Sequence, residues 1–62
     1  MCLSTVINVD EGKQEEICDH VSNAEVDGDK LTFTDIMGAE TVFTGRIVSV
    51  DLVENKILVA SA

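Results

Sequence analysis

The chain has no proline, no tryptophan and no tyrosine, and only two phenylalanines among its 62 residues. It therefore lacks the aromatic platforms on which unpaired bases stack. Basic residues are scarce as well: four Lys and Arg stand against twelve Asp and Glu, a net charge of −8. A surface of that sign repels phosphate backbones, whose binding rests on lysines and arginines that displace condensed counterions. Neither nucleic acid nor an anionic membrane is an expected partner. There is one histidine, no phosphate-cradling glycine loop and no nucleophile elbow. A chain this small also has too little shell to close a substrate pocket, so an enzyme is not expected. No apolar run approaches the ~20 residues of a membrane span. The start Met1-Cys2-Leu3-Ser4-Thr5 has no basic residue, and Asn8 and Asp10 interrupt the apolar run after Val6, so it does not read as a secretory leader. The expectation is a cytoplasmic chain whose two cysteines stay reduced.

What is abundant points to a fold. Valine, isoleucine and threonine make up 19 of the 62 residues, and 45% of the chain is hydrophobic. A β-branched, aliphatic composition favours strands, and the positive mean hydropathy of +0.22 argues against disorder. The length sets one domain, residues 1–62, whose own core supplies no more than about 3–5 kcal/mol. Turn signals recur about every ten residues, at Asp10-Glu11-Gly12-Lys13, Asp27-Gly28-Asp29, Met37-Gly38-Ala39-Glu40, Gly45 and Glu54-Asn55-Lys56. Between them apolar and polar residues alternate, as where Leu31 and Phe33 interleave with Thr32 and Thr34. This pattern predicts an all-β protein with strands near 2–9, 14–18, 21–27, 30–36, 40–44, 46–52 and 56–60. The last is an aliphatic run suited to burial on both faces. Asp27-Gly28 gives the strongest hairpin signal and predicts a type I′ turn. Residues 14–22, with Ile17, Cys18 and Val21 on one face, could instead form a single helical turn.

The cysteines are the first candidates for chemistry. A hairpin about Glu11-Gly12 sets Cys18 opposite Thr5 and Cys2 opposite Val21, too far out of register for a disulfide. Cys18 follows Ile17 in an apolar stretch and reads as a small core residue. Alternatively it joins Asp19 and His20 in a metal site; on a regular strand Cys18 and His20 share a face while Asp19 points away. Cys2 is different, because a core thiol is poorly placed at a chain end. Thiolate, backbone amide and α-amine there can chelate one metal in five-membered rings, and flat N/S donor sets suit Ni(II) or Cu(II) rather than tetrahedral Zn(II). One terminus fills part of a coordination sphere; two related by a two-fold axis fill it. The plainer alternative is an ordinary N-terminal strand residue. Asn23, Glu25, Asp27 and Gly28 echo a calcium loop, but Thr34 stands where its bidentate glutamate belongs, so a hairpin is the better reading.

The opening Met1-Cys2-Leu3-Ser4-Thr5-Val6, then Glu25-Val26-Asp27-Gly28-Asp29-Lys30, Thr34-Asp35-Ile36-Met37-Gly38, Gly45-Arg46-Ile47 and Val50-Asp51-Leu52, together resemble the CooT family. These are small nickel-binding proteins associated with maturation of carbon monoxide dehydrogenase. The resemblance spans nearly the whole chain. It implies a homodimer of small SH3-like β-barrels of about six to seven short antiparallel strands. It further implies one Ni(II) held at the dimer interface by Cys2 of each chain, and a metallochaperone or nickel store as the function. Cys18 and His20 lie outside the pattern. A β-barrel adaptor that contacts proteins without a metal is the competing expectation.

Overall fold

The computed structural model describes residues 3–62. Five strands, β1 (Ser4–Asn8), β2 (Glu15–Asp27), β3 (Lys30–Asp35), β4 (Glu40–Asp51) and β5 (Lys56–Ser61), close into a barrel in chain order. A 3-10 turn, Asp10–Gly12, joins β1 to β2. Neighbouring strands run antiparallel except at the closure, where β1 lies parallel to β5 with Val6 beside Ile57 and Asn8 beside Val59. The all-β barrel expected from composition and alternation is thus present.

The strand count is five rather than six or seven, and the reason is instructive. The segments expected at 14–18 and 21–27 are one strand, as are those at 40–44 and 46–52. Residues 19–20 and Gly45, which read as breaks, are corners at which a continuous strand changes partner. β2 pairs with β1 through Val21, and from Val21 onward with β3. β4 pairs with β3 as far as Thr44 and with β5 from Gly45. A barrel this small needs such bends, and irregular pairing supplies them: register shifts fall between Ser4 and Val6, between Val6 and Ile7, between Val21 and Asn23, and between Ile47 and Ser49.

These shifts also move the cysteine register. Near the turn Asn8 faces Glu15 and Ile7 faces Glu16, as a simple hairpin requires. The bulges beyond then set Cys18 opposite Val6, not Thr5, and Val21 opposite Ser4. The Asp27-Gly28-Asp29-Lys30 hairpin forms with a two-residue loop, but its turn is not type I′. Gly28 has φ +61°, whereas Asp29 keeps negative φ. A single positive φ at the first central position is the requirement of a type II′ turn. Gly28→Ala meets no neighbour, since a Cβ there has open space around it. The expected loss is therefore the left-handed backbone penalty alone, about 1 kcal/mol, read by urea unfolding.

Inside the barrel Val6, Val21, Leu31, Phe33, Ile57 and Val59 form the core, with Ile17, Cys18, Phe43 and Ile47 packed against it. Phe33 and Leu31 are the largest fully buried side chains. β5 bears out its aliphatic reading: Ile57, Val59 and Ala60 are buried and Leu58 half-buried. The C-terminal strand is latched to the first connection by Asp10. Its carboxylate accepts the Ser61 backbone N–H at 2.7 Å and also the Ser61 hydroxyl. Those bonds, the Ser61 hydroxyl first, hold the Asp10 carboxyl below its ordinary value of 3.8. A carboxyl whose folded pKa is depressed adds stability above its unfolded pKa, and that contribution disappears as pH falls through the folded value. Asp10→Asn should therefore flatten the decline of the melting temperature on acidification below pH 4 relative to wild type. Parallel acid limbs in the two proteins would show that the latch contributes nothing.

Candidate functional site

The end of the barrel at which β1 begins gathers three other segments. Ser4 pairs with Val21, and Val21 in turn with Asp35. The Thr5 N–H donates to the Asn55 carbonyl at 2.9 Å, which brings the β4–β5 turn alongside β1. The Thr5 hydroxyl donates to Oδ1 of Asp19 at 2.7 Å, and the Ile36 N–H donates to the His20 carbonyl at 2.9 Å. The start of β1, the corner of β2 and the two turns that flank β4 therefore form one structural unit.

The corner sets the chemistry of this unit. His20 has φ +56°, a left-handed conformation costing of order 1–3 kcal/mol that histidine tolerates better than most side chains. It interrupts strand alternation. Cys18 turns toward the core, half-buried against it, while the imidazole of His20 is 68% exposed. The expectation that Cys18 and His20 share a face is thus corrected. It is Asp19 that accompanies His20, with Oδ2 3.7 Å from Nδ1 and Oδ1 accepting the His20 N–H at 2.8 Å. The Asp19 carboxyl lies below its ordinary range, chiefly through the Thr5 hydroxyl and then the His20 N–H. Cys18 is a free thiol pushed above its ordinary value, mainly by desolvation at the core edge. That is the state of a packing thiol, not of a reactive one. Among the described residues no three of His, Cys, Asp and Glu converge as a metal cluster. Cys2, the candidate ligand, lies outside the described residues.

The two turns at this end are hydrogen-bonded by aspartate side chains and carry exposed apolar residues. Oδ1 of Asp35 accepts the N–H groups of Met37 and Ala39, and Oδ1 of Asp51 accepts those of Val53 and Glu54. These carboxylates hold the turn backbones in place, as aspartate does in Asx turns. The turns leave Met37 and Val53 87% exposed and Leu52 80% exposed. Alternation assigns Ile36 and Leu52 to the ends of strands 30–36 and 46–52, but β3 stops at Asp35 and β4 at Asp51, where the aspartate side chains turn the backbone, so both residues belong to the turns. Exposed apolar residues also occur elsewhere on the barrel, at Val26, Val42 and Val50; Met37, Leu52 and Val53 differ in standing on turns whose backbones are held by aspartate side chains. The Asn23–Gly28 stretch is the β2–β3 hairpin, as read. The described residues enclose no pocket.

Comparison with known proteins places this architecture. A family model described as CO dehydrogenase accessory protein CooT matches residues 1–60. No curated protein matches. A crystal structure assigned as CooT from Carboxydothermus hydrogenoformans superposes with a TM-score of 0.91, at 23% identity, and the match covers 98% of each chain. At that identity the superposition speaks for the fold.

Proposed function

The chain belongs to the CooT family of CO dehydrogenase accessory proteins, and from that premise we propose that it is a homodimeric nickel carrier serving that enzyme. Ni(II) is the cargo, held between two copies by the thiolate of Cys2 from each chain and handed on during insertion into carbon monoxide dehydrogenase. The observation that carries the reading is the family match itself, which begins at residue 1 and so includes Cys2. The donor chemistry agrees with it. A thiolate beside backbone and terminal nitrogens is a set that Ni(II) accepts well.

The structure supplies a reason for pairing. A 62-residue core is small, and the exposed Met37, Leu52 and Val53 stand on ordered turns tied to the same end as β1. A second copy that covered them would bury apolar surface and bring two N-termini together. A charge of −8 per chain also biases the local field toward divalent cations. The exposed turns equally suit an adaptor that contacts another protein without metal, and the test separates the two. Native mass spectrometry with added Ni(II) should show one nickel per two chains. Nickel on a single chain, or a dimer that takes up no nickel, would refute the shared site.

A further inference from the structure

We propose that the outer edge of β2 between Asn23 and Asp27 takes up a lysine-bearing extended segment of another protein as an added antiparallel strand. The proposal is independent of the Cys2 reading. β2 pairs with β1 only as far as Val21, whereas its pairing with β3 continues to Asp27. Among the described residues no strand pairs with the other edge of β2 beyond Val21. The two-residue loop Gly28-Asp29 makes Asp27 and Lys30 a hydrogen-bonded pair, and such pairs alternate along an antiparallel ladder. Asn23, Glu25 and Asp27 therefore direct their backbone groups to β3. Ala24 and Val26 direct theirs to the open edge, where their N–H and C=O groups are available to an incoming chain.

Side chains decide what that chain is. Ala24 lies opposite Phe33 and Val26 opposite Leu31, so both share a face with these core residues. Both are nevertheless exposed, Val26 at 61%, and a strand laid beside them would cover apolar surface that the barrel leaves open. The opposite face carries Asn23, Glu25 and Asp27, all exposed. Among the described residues no Lys or Arg lies within ion-pair distance of either acid. A second copy pairing antiparallel through the same edge, about Glu25 or Val26, would set acid directly against acid. Like charges in that position are destabilising, so the edge is a poor match for its own copy. A strand with Lys or Arg opposite Glu25 and Asp27, and small aliphatic residues opposite Ala24 and Val26, suits both faces. The chain's charge of −8 also favours the approach of a basic segment.

The probe is the end-blocked peptide Lys-Val-Lys-Val-Lys, titrated into the intact isotope-labelled protein and followed by NMR. The backbone amides of Ala24 and Val26 should shift and gain protection from hydrogen exchange, while those of Glu25 and Asp27, already bonded to β3, change little. Methylating both valine nitrogens removes two donors from the peptide without altering its charge, and should weaken binding by about tenfold or more. In the protein, Val26→Pro removes an edge-facing N–H, a substitution that edge strands accept; Glu25→Lys combined with Asp27→Lys reverses the charge. Each should weaken binding by about fivefold or more, with circular dichroism confirming the fold. Equal affinity of the methylated and unmethylated peptides, or shifts spread over acidic residues all round the barrel, would reduce the effect to charge attraction and overturn the proposal. Absence of binding at millimolar peptide would overturn it too. Protection of the Ala24 and Val26 amides that rises with protein concentration alone would make the occupant a second copy, against the proposal.

Discussion

Gly45→Ala is expected to lower the melting temperature by roughly 15–20 °C, leaving a barrel that is barely folded at ambient temperature. A Cβ built on Gly45 would lie 2.0 Å from the Ala60 carbonyl oxygen, 2.8 Å from a ring carbon of Phe43 and 3.0 Å from the Ala60 carbonyl carbon. Two of those three atoms are backbone, which cannot rotate aside as a side chain can. Nor is β4 free to withdraw, because the Gly45 N–H donates to the Asp29 carbonyl at 2.7 Å and Gly45 pairs with Ser61 across the ladder. Overpacking costs about 1–3 kcal/mol where neighbours can adjust, so the upper end, about 3 kcal/mol, applies here. In a domain of this size each kcal/mol is worth about 4–8 °C, and the whole core yields only about 3–5 kcal/mol. Gly28→Ala is the internal control, since it carries only its backbone penalty. Thermal melts of both variants decide the matter. If Gly45→Ala melts within a few degrees of Gly28→Ala, β4 does not approach β5 as closely as described.

Cys2→Ser is expected to abolish nickel binding at micromolar metal, with loss of the thiolate-to-nickel charge-transfer absorption, while Cys18→Ser retains both. Removing an outer partner of a ligand costs about 10–100-fold in affinity, so removing a thiolate ligand itself costs at least about 100-fold. The contrast between the two cysteines follows from their surroundings. Cys18 faces Val6 within the β1–β2 ladder, packs against the core and has its thiol pushed up by desolvation. It is therefore a neutral packing group, and its replacement should show in stability rather than in metal binding. Calorimetric titration of the wild type and both variants provides the readout. Equal affinity in wild type and Cys2→Ser would remove Cys2 from the site, and loss of binding in Cys18→Ser alone would move the site to the barrel wall.

The same pair of cysteines shows what could be read before folding was considered. Cys18 was legible as a core thiol because it follows Ile17 in an apolar stretch, and it is half-buried as expected. Its cross-strand partner was not legible. A bulge inserts one residue and moves every later pairing, and nothing in the local pattern near Val6 announces it. His20 was similarly half-legible. Its residue type marked it as a candidate, but the left-handed backbone that sets it beside Asp19 is imposed by the need of β2 to leave β1 and join β3.

Composition, alternation and turn residues were enough by themselves to determine an all-β chain with a hairpin at Gly28 and an aliphatic last strand. They also determined the acidic surface and the candidacy of Cys2, because each is a local property carried by residue type and spacing. Tertiary structure alone decided that two apparent breaks are corners, that closure runs through a parallel β1–β5 pair, and that Gly45 is a point of backbone contact. It also decided that Asp10 clasps Ser61 from 51 residues away. Pattern reading sees neighbours along the chain, whereas these features arise from closing a short sheet on itself. Closure forces strands to bend, to change partners and to meet residues remote in sequence.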